Sequence, residues 1–154
     1  MNKSTIRLAL ATLALSLAGT ASAQVKPEDQ IRIRQAGYKF MSWNMGKIKA
    51  NLGGEYNAKQ VEGAANAIAG IANSGMGALY GPGTDKAVGN VQTRVLPEFF
   101  KEGENVGKIA GEFVAAANAL QKAAASGDKA AVQKAFGDVG ASCKSCHDKY
   151  RAED

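Results

Sequence analysis

Cys143-Lys144-Ser145-Cys146-His147 gathers the scarcest chemistry of this 154-residue chain into five consecutive positions. The chain has two cysteines and one histidine, and all three are here. C-x-x-C-H is the attachment spacing of a c-type haem. Two thiols add to the two vinyl groups of the ring as thioethers, and the adjoining imidazole becomes the proximal ligand of the iron. Three rival chemistries fit less well. A thioredoxin-like Cys-x-x-Cys needs a βαβ setting and a motif early in its domain. A structural zinc site needs about four protein ligands, and Cys and His together supply three side chains in the whole sequence. A disulfide between Cys143 and Cys146 suits an oxidising compartment but leaves His147 without a role.

A helix must present these groups. With a rise of about 1.5 Å and a turn every ~3.6 residues, Cys143 and His147 share a face and Cys146 flanks it, so all three address one edge of a flat ring. Asp148 and Lys149 point elsewhere. Arg151, four residues beyond His147, is either a cation beside the imidazole or a solvated arginine at a helix C-terminus, where the dipole favours it. With His147 committed, no second histidine is left for the opposite face of the iron. That face is open to a methionine or to nothing. Met41, Met45 and Met76 are the candidates, and their ordinary alternative is core packing.

The rest of the chain reads as four helical stretches with no convincing strand. Pro27, Glu28 and Asp29 suit a first helical turn. Ile31, Arg34, Tyr38, Met41, Met45, Ile48 and Leu52 then recur in alternating steps of three and four, a heptad seam that Gly53-Gly54 ends. Asn57 caps a second helix with Val61, Ala64, Ala65, Ile68 and Ile71 on its buried face, broken by Asn73-Ser74-Gly75. A third helix is clearest from Asn105 to Ala125, with Val106, Ile109, Ala110, Phe113, Ala117, Leu120 and Ala124 as its stripe. Ser126-Gly127-Asp128 turns into a fourth, whose broad face carries Val132, Ala135, Phe136, Val139, Cys143, Cys146, His147 and Tyr150. Short first and last connections, with a Gly/Pro-rich crossover from Gly75 to about Leu96, predict an all-α, antiparallel four-helix bundle around a covalently bound haem. The many small core residues leave the cofactor to supply much of the core.

Arg34 and Tyr38 are the odd members of the first seam. A guanidinium facing a core needs an anion. A haem propionate is one partner, with Gln35 adding a neutral hydrogen bond; the alternative is that Arg34 snorkels to water near the helix start. Tyr38, one turn further in, should stand over the ring face opposite His147 and screen it. Its alternative is a core aromatic whose hydroxyl finds a partner at the bundle edge.

Lys3 and Arg7, the apolar run Leu8–Leu17 and the small-residue site Ala21-Ser22-Ala23 form a cleavable signal peptide over residues 1–23. The run is too short for a membrane span of ~20 apolar residues. The mature chain of residues 24–154 suits one domain, exported to the bacterial periplasm, with no membrane insertion after cleavage. Without Lys3 and Arg7, 17 basic residues face 14 acidic ones. Two propionates bring that balance close to neutral, and no basic block with interleaved aromatics points to nucleic acid.

Together these pieces resemble the cytochrome c′ family. The resemblance spans the mature chain. It is carried by Arg34-Gln35-Ala36-Gly37-Tyr38, by Leu79-Tyr80-Gly81-Pro82-Gly83-Thr84 in the crossover, and by Phe136 to Arg151 around the haem motif. It implies a periplasmic bundle, commonly a homodimer, with one covalent haem c and a five-coordinate, high-spin iron. That iron takes NO and CO and discriminates against O₂, in electron transfer, NO handling or both. By position it implies Cys143 and Cys146 as thioether residues, His147 as axial ligand, Arg34 and Gln35 as haem contacts, and Tyr38 as the distal residue where other members carry Leu or Phe. It also implies Arg151 beside the proximal imidazole and Thr93 near the propionates. Low-spin relatives use a first-helix Met as sixth ligand, so Met41 keeps a six-coordinate electron-transfer cytochrome as the alternative. Tyr38 on the same face speaks against it. An enzyme acting on an organic substrate would need acid–base residues on the distal face, and the seam offers no carboxylate or histidine there. An electron carrier and gas-binding protein, not an enzyme, is the expected class; the sequence does not identify its redox partner.

Overall fold

The computed structural model describes residues 25–153; the expected signal peptide lies outside them. Four helices make the fold: α1 (Pro27–Gly53), α2 (Ala58–Ala72), α3 (Gly103–Ser126) and α4 (Lys129–Tyr150). Pro27 opens α1 with Glu28 and Asp29 in its first turn, and Glu28 pairs with Arg32 at 2.6 Å. The Asn57 side chain caps α2 by accepting from the Gln60 amide at 3.1 Å. The Asp128 carboxylate caps α4 through the amides of Ala130 and Ala131. Between α3 and α4, Gly127 takes φ +71°, a left-handed turn that a Cβ would resist.

Short links make α1–α2 and α3–α4 antiparallel hairpins, and the long crossover after α2 joins them. Each helix packs closely on the next in sequence, but α1 meets α4 only sparsely. The core runs through the bundle with Ile48, Val61, Ile68, Leu120, Val132 and Val139 all at or near zero exposure. Alanines at 64, 65, 117 and 124 are buried among them and let the helices approach closely. α3 begins at Gly103, two residues before Asn105. The expected stripe member Ala110 is exposed, because its place on the helix turns it away from α2 and α4. His147 is also exposed, although the expected face of α4 included it.

The crossover contains two short 3₁₀ turns, Met76–Leu79 and Pro97–Phe100. It returns to the haem-motif end of α4. The Leu96 amide donates to the Tyr150 carbonyl, and the Ala152 amide to the Arg94 carbonyl, both at 2.8 Å. No helix among the described residues is long and apolar enough to cross a membrane.

Candidate functional site

The site lies where α1, the crossover and the end of α4 converge. Cys143 and Cys146 are half-buried, unpaired thiols, and Cys143 packs against the core. Burial pushes both thiols up from their ordinary values, with Cys146 adding to the effect on Cys143. They are therefore neutral at physiological pH, unlike the thiolate of a redox Cys-x-x-Cys. Among the described residues no cluster of three His, Cys, Asp or Glu side chains is arranged to hold a metal ion. Lys144 and Asp148 pair on the outer flank of the helix. The Arg151 guanidinium lies beside the imidazole, its Nη1 3.3 Å from His147 Nδ1. A guanidinium only donates, so a hydrogen bond here requires the tautomer with Nδ1 as acceptor.

Across from α4, the α1 seam is exposed at one place only, with Met45 and Leu52 partly buried. Ile31 and Ile48 are fully buried and Met41 is 7% exposed, yet Tyr38, on the same stripe, is 42% exposed. This exposed place lies near the two cysteines, both of which act electrostatically on Tyr38. A half-exposed aromatic on α1, two neutral half-buried thiols and an accessible imidazole next to them fit a flat apolar ring attached through both sulfurs. Met41 belongs to the buried core cluster, with Met45 packed on it, and Met76 lies against Gly37. The methionines behave here as packing residues.

Tyr38 is not isolated. The Tyr80 hydroxyl donates to the Tyr38 hydroxyl at 3.1 Å. Burial pushes the Tyr38 phenol up, an effect that the Tyr80 bond partly offsets. Tyr80 rises well beyond the ordinary phenol range, first through burial and then through Tyr38. Both remain neutral phenols, so Tyr38 does not present the phenolate that would ligate an iron.

Arg34 is 3% exposed, which rules out the snorkelling alternative. Among the described residues no carboxylate pairs with it. Its Nη1 donates to Thr84 Oγ1 at 2.9 Å and to the Leu79 carbonyl at 3.2 Å. Its Nη2 donates to the Thr84 carbonyl at 2.6 Å and to Thr93 Oγ1 at 2.8 Å. The guanidinium also sits 4.4 Å from the Tyr80 ring centroid. Burial works against its charge, and four neutral acceptors with an aromatic face offset that cost. Gln35 reaches the Gln92 carbonyl at 2.6 Å, and one turn earlier Gln30 accepts from the Gly81 amide at 2.9 Å. The first turns of α1 thus hold the crossover in place, and Thr93 belongs to that grip.

Sequence reasoning missed Tyr80, Thr84 and the Tyr150–Glu102 pair. The buried Tyr150 hydroxyl donates to Glu102 Oε2 and accepts from Asn105 Nδ2, both at 2.7 Å. Phe99 links the two groups, stacked on Tyr80 at 4.3 Å and edge-on to Tyr150 at 5.8 Å. The turn-rich crossover sequence marked the segment but carried no periodicity to say which side chains turn inward.

Comparison with known proteins places these features. The sequence model of the family described as Cytochrome C′ matches residues 29–151. A cytochrome c′ of Allochromatium vinosum is 70% identical over 142 residues, 92% of each chain. A solved cytochrome c′ with an unusual ligand-controlled dimer dissociation superposes with TM-score 0.83 at 73% identity, over 84% of this chain and 98% of that one. The nitric oxide complex of a cytochrome c′ variant from Alcaligenes xylosoxidans gives TM-score 0.73 at 31% identity, over 84% and 98%.

Proposed function

The chain belongs to the cytochrome c′ family, and from that premise we propose that it is an exported, periplasmic monohaem protein that binds NO or CO at a five-coordinate, high-spin iron, carries electrons, and is not an enzyme. The cofactor of the family is one covalent haem c. When bound, haem supplies a redox-active iron with a coordination position open to a diatomic gas. Cys143 and Cys146 would fasten the ring edge and His147 would hold the iron. Tyr38 screens the opposite face as a neutral phenol. Arg34, Gln35 and Thr93 border the ring through the crossover they organise, and Arg151 is a fixed cation beside the imidazole. Were His147 to hold the iron through Nε2, its ring proton would sit on Nδ1, and the Arg151 contact would give way.

The observation that supports this reading is the exposure of Tyr38 within the α1 seam. Tyr38 is exposed against two neutral thiols, while Met41, the sixth ligand of the low-spin alternative, is packed in the core. Export follows from the signal peptide of residues 1–23, and mass spectrometry of the protein from a haem-maturing host should find a chain beginning at Gln24 plus one haem. Absorption spectra of the oxidised and reduced protein, with and without CO, test the iron. High-spin spectra and a clear CO shift are expected. A low-spin, methionine-type spectrum indifferent to CO would establish the alternative, and turnover of a small organic molecule would make the protein an enzyme.

A further inference from the structure

Tyr38 and Tyr80 share a hydrogen bond, but they are held very differently. Tyr38 is 42% exposed, and among the described residues its hydroxyl bonds to Tyr80 alone. A half-exposed aromatic of this kind changes rotamer quickly when nothing restrains it. Tyr80 is anchored on several sides. Its ring stacks on Phe99 at 4.3 Å with an interplanar angle of 27°. The Arg34 guanidinium lies 4.4 Å from its centroid and is itself fixed by Thr84. The Tyr80 amide donates to the Gly77 carbonyl at 3.2 Å. Both phenols lie within electrostatic range of Cys146, so the pair lies near the attachment site. α1 also runs close to the crossover at this level: a Cβ on Gly37 would sit 3.0 Å from Met76 Cε.

We propose that Tyr80 is a positioning residue for gas entry: its anchored hydroxyl latches Tyr38 over the distal face, and release of that bond limits the approach of a diatomic gas to the iron. The proposal rests on the reading of Tyr38 as the distal screen. It assigns the crossover a part in ligand discrimination. A gas must displace a ring that is tied to a loop, and that loop is tied in turn to the buried Arg34.

The test uses the haem-loaded protein with CO as probe. Tyr80→Phe keeps the ring, its stack and its cation contact, and loses only the hydroxyl. CO association with the reduced variant is expected to be about five-fold faster, the factor one neutral hydrogen bond is worth, with the gas-free spectrum and the melting temperature close to wild type. Tyr38→Phe breaks the same bond and should give a similar acceleration. The double variant should be no faster than either single one, as two halves of one interaction require. Crystals of oxidised Tyr80→Phe should show Tyr38 in more than one side-chain conformer. A wild-type association rate in Tyr80→Phe, additive accelerations in the double variant, or a single unmoved Tyr38 conformer overturns the latch. Tyr38→Ala separates the two readings. If it speeds CO binding while Tyr80→Phe does not, the screen stands and the latch falls; if it has no effect, the distal reading itself is wrong and the latch falls with it.

Discussion

Thr84 is fully buried in the crossover and gives Arg34 two acceptors, its hydroxyl and its carbonyl. Thr84→Val keeps the shape and removes the hydroxyl, leaving a buried guanidinium N–H without that partner. A loss of about 1–3 kcal/mol is expected in urea unfolding, and a midpoint equal to wild type would show that Arg34 is satisfied otherwise. The Tyr150 and Asn105 hydrogen bonds hold the Glu102 carboxyl below its ordinary value. A lowered folded-state value stabilises the fold above the unfolded carboxylate pKa of about 4.3 and loses that contribution as pH falls through the folded value. Tyr150→Phe should therefore flatten the acid-side fall in melting temperature below about pH 5; a curve parallel to wild type would remove Glu102 as its source. At this scale Cys143, Cys146 and His147 were legible because their spacing is itself the chemistry. The partners of Arg34 were not, since Leu79, Thr84 and Thr93 lie 45 to 59 positions away. A charge at a seam position says that it needs partners; it does not say which loop oxygens will be among them.

The helices follow rules that can be read locally, and the crossover does not. Pro27, Asn57 and Asp128 act where capping chemistry puts them. The heptad seam of α1 is buried at Ile31, Arg34, Met41 and Ile48. Periodicity shows which residues share a face but not whether a partner helix covers it, so the exposure of Tyr38 was invisible to it. The crossover is held by approach rather than by pattern. A Cβ on Gly81 would lie 2.7 Å from Gln30 Oε1, so Gly81→Ala should push Gln30 off the Gly81 amide. Because Gln30 is a flexible side chain, a cost of about 1 kcal/mol is expected, most of it absent in a Gln30→Ala background. Equal costs in the two backgrounds would show that the strain is in the loop itself.

At the scale of the molecule, α1 has a second apolar face outside its seam. Ile33, Phe40 and Trp43 are 49%, 49% and 58% exposed, with Phe40 and Trp43 stacked at 5.5 Å and Lys47 over the Trp43 ring. A sequence shows that such a face is apolar but not that it lies outside the bundle, which only the packing of the other three helices decides. The central claim is that one iron, fastened by the last helix, keeps its far side open behind Tyr38. Low-temperature electron paramagnetic resonance of the oxidised, haem-loaded protein tests it most directly. A five-coordinate site gives a predominantly high-spin ferric signal, whereas a purely low-spin signal would mean that a side chain already occupies the sixth position, contradicting an open iron.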